Sequence, residues 1–163
     1  MYCLKSRNPR SKRRLARPPQ DAPAASDSLE HILIVDDEKS IVQIGQEILE
    51  TLGYQVTGRT NSMEALETVR QRPEGFDLVI TDFIMPKMNG IELARELSRL
   101  RPGMPIILYT AIDQVISAEN GKKIGIEAYL MKPVKAAELY QTIRRVLQRS
   151  SKAPQKKNNP DSG

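Results

Sequence analysis

The sequence predicts an α/β fold in which helices cover both faces of a parallel five-stranded sheet. Short continuous apolar runs alternate along the chain with segments whose apolar residues recur at helical spacing. The alternation fills about residues 29–149 of the 163-residue chain, which is enough for one well-buried core. These two observations together predict a single doubly wound domain.

Five short apolar segments predict the strands. They are too short for helices, and polar or turn-forming residues bound them. Several are apolar at consecutive positions, as expected for strands that are covered on both faces. In chain order they are Ile32–Val35, Tyr54–Thr57, Leu78–Ile80, Pro105–Tyr109 and Ala128–Met131.

The first two helices are predicted between the first three strands. Apolar residues from Ile41 to Leu52 stand three or four apart, and Gly53 stops this helix. Asn61 and Glu64 have the spacing of a capping box, which opens a second helix that runs to about Arg72.

The remaining three helices differ in the strength of their patterns. Asn89 can cap the third, and Pro102 closes it. The fourth, Gln114–Ile124, has a thin apolar face that Gly121 interrupts. The last has apolar residues at helical spacing from Leu139 and ends near Arg149.

Charge and composition exclude several classes of protein. The net charge of +5 comes from basic, proline-containing tails at residues 1–28 and 150–163, which we expect to be disordered. The middle is mildly acidic, so a fold-wide nucleic-acid surface is not supported. No apolar run is long enough to cross a membrane, and we expect no secretory signal, because the first twenty residues lack an apolar stretch. Cys3 is the only cysteine, so we expect a cytoplasmic protein without an intrachain disulfide.

Polar side chains follow four of the predicted strands. Asp36 and Asp37 follow the first strand, Asp82 the third, Thr110 the fourth and Lys132 the fifth. Ligands of such sheets bind outside the carboxyl ends of the strands, so these side chains should converge there. Close carboxylates repel one another unless a cation joins them, and Mg²⁺ prefers oxygen ligands. The pattern predicts an aspartyl-phosphate chemistry with Asp82 as the nucleophile and Lys132 as the counter-charge.

Asp77 serves as an internal control for this prediction. An extended strand separates it from Asp82 by about 16 Å. We therefore expect Asp77 to lie at the opposite edge of the sheet and to have no functional role.

At these residues the chain resembles the receiver domain of bacterial response regulators. The matching stretches are HILIVDDE, FDLVITDFIMPKMNGIEL, PIILYTA and EAYLMKP, and they span about residues 29–149. The resemblance implies a flavodoxin-like (CheY-like) fold with strand order 2-1-3-4-5. It also implies a role in two-component phosphorelay signalling, either as a stand-alone receiver or as one detached from a hybrid histidine kinase.

The resemblance assigns a phosphoacceptor and its metal ligands. Asp82 would accept a phosphoryl group from a phosphohistidine on a histidine kinase or a histidine phosphotransfer protein. Asp37, Asp82 and the backbone carbonyl of Ile84 would coordinate Mg²⁺ directly, and Asp36 would act largely through water. Such a protein would promote only its own phosphorylation and dephosphorylation, and so would not be an enzyme in the usual sense.

The resemblance also assigns phosphate-binding and switch residues. Lys132 would pair with the phosphoryl group, and the Lys132–Pro133 bond would be cis. Thr110 and Ala111, at the end of the fourth strand, would also contact the phosphoryl group. Thr110 and Tyr129 match the switch pair of the family, in which the tyrosine ring turns from exposed to buried. The surface formed by the fourth helix, fifth strand and fifth helix would then bind a downstream protein, and a homodimer could form on phosphorylation.

Ile84 and Ile112 match two positions that vary within the receiver family and that flank the path of the water molecule that attacks the aspartyl phosphate. Neither apolar side chain can orient a water molecule by a hydrogen bond. The sequence therefore predicts slow self-dephosphorylation.

Three other functions compete with this interpretation. A phosphohydrolase of the haloacid dehalogenase type needs a second acid two residues after its nucleophile, where this chain has Ile84. An FMN protein needs backbone amides and hydroxyls after the first strand, where Asp36 and Asp37 would repel phosphate. Nucleic-acid binding through the basic arm Arg7–Arg17 remains an alternative, although no aromatic residue interleaves it and we expect no specific binding.

Overall fold

The structure, a computed structural model, describes residues 29–112 and 116–152. It contains five strands and five helices that alternate along the chain. The strands are β1 (His31–Val35), β2 (Gln55–Arg59), β3 (Leu78–Asp82), β4 (Ile106–Thr110) and β5 (Ile126–Met131). The helices are α1 (Lys39–Thr51), α2 (Ser62–Gln71), α3 (Gly90–Leu100), α4 (Ala118–Lys123) and α5 (Ala136–Lys152).

The strands form one parallel sheet in the order β2-β1-β3-β4-β5. This order confirms the predicted flavodoxin-like fold class. The strand order reverses between β1 and β3, and the carboxyl ends of these two strands flank the crevice where ligands of such sheets bind.

The sheet separates two hydrophobic clusters. One contains buried residues of α2 and α3, and the other contains buried residues of α1 and α5. Leu33 and Ile32 are neighbours on β1, are both fully buried, and belong to different clusters. Because successive side chains of a strand point to opposite faces, the consecutive apolar run supplies both clusters.

Several residues predicted to begin or end helices lie at the observed helix ends. The Asn89 side chain accepts hydrogen bonds from the backbone N–H groups of Ile91 and Glu92, and the Glu92 carboxylate accepts one from the N–H of Asn89. Asn61 caps α2 by accepting a hydrogen bond from the N–H of Glu64, but the structure gives only this one of the two hydrogen bonds of the predicted capping box. Gly53 follows α1 with a φ of 94°, a conformation that glycine adopts without strain.

Several element boundaries differ from the prediction. β2 begins after Tyr54, whose side chain is buried in the core, and it continues to Arg59 because Arg59 pairs with Val35. β3 continues past its apolar part to Asp82, which pairs with Tyr109. Backbone pairing with a neighbouring strand thus extends strands into polar residues, which hydrophobic periodicity does not detect.

Two helices also differ from the prediction. α4 begins at Ala118, because the Ser117 hydroxyl caps it by accepting a hydrogen bond from the N–H of Asn120. The predicted start at Gln114 lies outside the described residues. α5 continues past Arg149 to Lys152. The predicted disordered tail at residues 150–163 was therefore wrong for residues 150–152, which continue α5. Residues 1–28 and 153–163 lie outside the described residues.

Candidate functional site

Three strand ends bring acidic and basic side chains together at one edge of the sheet. Asp36 follows β1, Asp82 ends β3, and Lys132 follows β5. The Lys132 Nζ atom lies 3.2 Å from Oδ2 of Asp36 and 3.3 Å from Oδ1 of Asp82. One ammonium group therefore bridges two carboxylates that come from different strands.

The carboxylates of Asp36, Asp37 and Asp82 form a compact oxygen cluster. One carboxylate oxygen from each residue lies within 4.8 Å of the others. Asp36 and Asp82 are buried, with 2% and 7% of their surface exposed, whereas Asp37 is exposed to solvent. An all-oxygen donor set that is open on one side fits a hard cation such as Mg²⁺, which retains several water ligands.

Backbone donors hold the two buried carboxylates in place. Oδ1 of Asp36 accepts a hydrogen bond from the N–H of Glu38 at 2.9 Å. Oδ1 of Asp82 accepts one from the N–H of Phe83 at 2.8 Å. These contacts fix the orientation of the carboxylates before any ligand binds, which reduces the entropic cost of binding.

Burial and neighbouring charges shift the protonation equilibria of the cluster. Burial raises the pKa of Asp82, and the negative charge of Asp36 adds to this effect. The charge and hydrogen bond of Lys132 and the hydrogen bond from the Phe83 N–H lower the pKa of Asp82, but the pKa is raised overall. Burial lowers the pKa of Lys132, but its hydrogen bonds and charge interactions with Asp36 and Asp82 raise it overall. The two carboxylates therefore favour the charged form of Lys132.

A glycine allows the loop after β3 to pack against the site. Gly90 is the first residue of α3, and its N–H donates a hydrogen bond to the Phe83 carbonyl at 2.9 Å. A Cβ atom at Gly90 would stand 2.2 Å from the carbonyl oxygen of Asp82. Only glycine fits so close to the backbone, so Gly90 contributes to the placement of Asp82, a role that the sequence alone did not indicate.

Thr110 lies at the same edge, at the end of β4. Its side chain is 2% exposed, and its Oγ1 atom accepts a hydrogen bond from the N–H of Ile112 at 3.0 Å. Its carbonyl accepts a hydrogen bond from the N–H of Lys132, which joins the ends of β4 and β5. Ala111 follows in the exposed loop, and the Lys132–Pro133 bond is cis.

Tyr129 lies further from the carboxylates, on β5 beside α4. Its ring is half-buried, and its hydroxyl is buried without a hydrogen-bond partner among the described residues. A Cβ atom at Gly121 would stand 2.1 Å from this hydroxyl oxygen. The absence of a side chain at Gly121 therefore makes the space that the ring occupies.

The other predicted positions also have defined places. Ile84 lies in the loop after β3 with 57% of its surface exposed, and Ile112 lies in the loop after β4 with 44% exposed. Asp77 lies before β3, at the amino ends of the strands, where its Oδ2 atom accepts a hydrogen bond from the N–H of His31 at 2.8 Å. Asp77 is therefore separate from the carboxylate cluster.

Comparison with known proteins identifies the family. The family model for the response regulator receiver domain matches residues 32–144. The chain belongs to the family of response regulator receiver domains. None of the helices that the structure describes is both long enough and apolar enough to cross a bilayer.

Individual relatives agree with this membership. A probable transcriptional regulator, ycf27, from Porphyridium aerugineum is 38% identical over 134 residues, which are 82% of this chain and 55% of the relative. The chain spans about half the length of the curated relatives it matches.

Solved receiver domains have the same fold. The CheY-like receiver domain protein from Methanospirillum hungatei JF-1 has a TM-score of 0.71 and 35% sequence identity, covering 78% of this chain and 100% of that chain. The receiver domain protein from Clostridium thermocellum has a TM-score of 0.70 and 34% identity, covering 76% of this chain and 98% of that chain. The matched relatives are transcriptional regulators and receiver domains.

Proposed function

We propose that this receiver domain accepts a phosphoryl group on Asp82 from a phosphohistidine of a histidine kinase or a histidine phosphotransfer protein. The observation that carries the proposal is the cluster of Asp36, Asp37 and Asp82 with Lys132 at its edge. A buried, oriented carboxylate beside a cation can act as a nucleophile toward phosphorus.

The site residues would divide the chemistry of transfer among them. A carboxylate oxygen of Asp82 attacks phosphorus, the P–N bond to imidazole breaks, and its electron pair stays on the imidazole nitrogen. Lys132 pairs with the phosphoryl oxygens, and the chain at Thr110 and Ala111 supplies further polar contacts. Lys132 already lies 3.3 Å from Asp82, so this counter-charge requires no rearrangement.

Mg²⁺ is the cofactor that the donor set favours. Asp36, Asp37, Asp82 and the backbone carbonyl of Ile84 would hold it, with Asp36 acting largely through water. When bound, it would neutralise negative charge on the phosphoryl oxygens. The repulsion among the three carboxylates in its absence supports this assignment.

The same phosphoryl group would change a surface that binds other proteins. Its charge would attract the Thr110 hydroxyl, which then gives up its hydrogen bond from Ile112. Movement of the loop after β4 would let the Tyr129 ring turn. The surface formed by α4, β5 and α5 would thereby change its shape, and with it the binding of a downstream protein or of a second copy of the chain. The Tyr129 hydroxyl has no hydrogen-bond partner among the described residues, which supports a role as a movable element.

The experiment that tests the function is intact-mass measurement after incubation with acetyl phosphate. With Mg²⁺, the full chain is expected to gain the mass of one phosphoryl group. With a chelator in place of Mg²⁺, no gain is expected, because the carboxylate cluster then repels the anionic donor. Equal gain with and without Mg²⁺, or no gain in either sample, would contradict the proposal.

The phosphorylated protein is expected to lose its phosphoryl group slowly. Ile84 and Ile112 are both exposed beside the site and offer no hydrogen bond to an attacking water molecule. Ile84→Gln supplies such a bond and is expected to shorten the half-life severalfold. Phosphoprotein is followed by intact mass after the donor is removed.

Met63→Gln is the matched control for this prediction. Met63 is a similarly exposed apolar residue on α2, and the substitution should leave the half-life unchanged. A wild-type half-life of seconds would contradict the prediction.

A further inference from the structure

The Lys132 ammonium contacts an aromatic ring as well as two carboxylates. Its Nζ atom lies 4.6 Å from the centroid of the Tyr109 ring. This distance is within the range of a cation–π interaction, in which the negative face of the ring attracts the ammonium group. The role that we propose for Lys132 gives no function to Tyr109.

The ring limits the positions that Lys132 can adopt. The lysine side chain is flexible, and its ammonium group has three N–H donors. Two carboxylates, from Asp36 and Asp82, lie within 3.3 Å of it. The ring adds a third contact, so that the ammonium is held between three surfaces when no phosphoryl group is present.

The fold fixes the ring itself. Tyr109 lies on β4 between Asp82 of β3 and Leu130 of β5, which are its partners in the strand pairing. Its carbonyl accepts a hydrogen bond from the N–H of Phe83 at 3.1 Å. The half-buried ring packs against the hydrophobic cluster of α1 and α5. A side chain anchored in this way can position a more flexible neighbour.

We propose that Tyr109 is a positioning residue for phosphoryl transfer: its ring face holds the Lys132 ammonium where Lys132 pairs with the phosphoryl group arriving at Asp82. This inference rests on the proposed function of Asp82. Tyr109 takes no part in bond making or breaking and acts only through Lys132.

The test reaction is phosphorylation by acetyl phosphate in the presence of Mg²⁺. An Asp82 carboxylate oxygen attacks phosphorus, the bond from phosphorus to the acetyl oxygen breaks, and acetate leaves with the electron pair. Negative charge shifts to the leaving oxygen while the phosphoryl oxygens remain charged, so a displaced ammonium slows the reaction. The initial rate is measured by intact mass on the full chain.

Two substitutions of Tyr109 separate the ring face from the hydroxyl. Tyr109→Phe keeps the ring face and is expected to phosphorylate within about twofold of wild type. Tyr109→Leu keeps an apolar side chain but removes the ring, and its rate should fall by about three- to tenfold. Tyr140→Leu is the matched control, because Tyr140 packs on the same cluster from α5, and its rate should not change.

A double-mutant cycle distinguishes positioning from packing. If Tyr109 acts through Lys132, Tyr109→Leu should change the rate of the Lys132→Ala protein by less than about twofold. An equal slowing in the Lys132→Ala background, or a slow Tyr109→Phe protein, would overturn the inference. A Tyr109→Leu protein that is phosphorylated as fast as wild type would also overturn the inference, but it would not contradict the proposed function of Asp82. A wild-type protein that is not phosphorylated at all would instead refute the proposed function itself.

Discussion

Replacing Asp82 by asparagine is expected to abolish phosphorylation by acetyl phosphate. The substitution keeps the size of the side chain and an oxygen that can accept the hydrogen bond from the Phe83 N–H. It removes the anionic nucleophile, and the neutral amide oxygen of asparagine does not form a stable bond to phosphorus. The loss should be complete on the time scale in which wild type is fully labelled, as measured by intact mass.

Asp77→Asn is the matched control for that substitution. Asp77 immediately precedes β3 and Asp82 ends it, and an asparagine at position 77 can still accept the hydrogen bond from the His31 N–H. We expect Asp77→Asn to be labelled at the wild-type rate. Labelling of Asp82→Asn equal to wild type, or loss of labelling in Asp77→Asn alone, would be incompatible with the assigned phosphoacceptor.

Replacing Asp37 by asparagine is expected to weaken Mg²⁺ binding by at least about tenfold, and to slow phosphorylation at limiting Mg²⁺. Asp37 is the exposed member of the carboxylate cluster, so its replacement removes a charge without opening a cavity in the core. Two unit charges at 4 Å interact by about 4 kcal/mol at an effective dielectric constant near 20, and about 1.4 kcal/mol corresponds to a tenfold change in affinity. Calorimetric titration with Mg²⁺ measures the change.

Glu38→Gln is the control for the effect of net charge. Glu38 is the next residue, is also exposed, and is not part of the oxygen cluster. Its replacement should change the Mg²⁺ affinity by less than about twofold at moderate salt, because exposed charges outside the site are screened. Equal weakening by both substitutions would show that net charge, and not coordination, explains the effect.

The fold was predictable because its strands are apolar on both faces. Runs such as Ile32–Val35 identify buried parallel strands, and caps such as Asn61 and Asn89 mark where helices begin. Strand ends were less predictable, because pairing with a neighbour extends β2 to Arg59 and β3 to Asp82. The hydrophobic pattern detects burial and not backbone pairing, so a strand predicted from it ends too early where the real strand ends in polar residues.

The charged part of the site was predictable from its position in the chain. Asp36, Asp82 and Lys132 each follow or end an apolar strand, and a parallel sheet places such residues at one edge. The roles of Gly90 and Tyr109 were not predictable from the sequence. The first depends on the space at position 90, where a Cβ atom would stand 2.2 Å from the Asp82 carbonyl oxygen, and the second on a 4.6 Å ring-to-ammonium distance; only three-dimensional packing determines both.

Chemical trapping of the phosphorylated residue tests the central claim most directly. Borohydride reduces an aspartyl phosphate to homoserine, which peptide mass spectrometry locates in the sequence. After labelling with acetyl phosphate and Mg²⁺, homoserine is expected at position 82 and at no other aspartate. Homoserine at position 36, 37 or 77, or phosphate retained on a residue that borohydride does not reduce, would contradict the account.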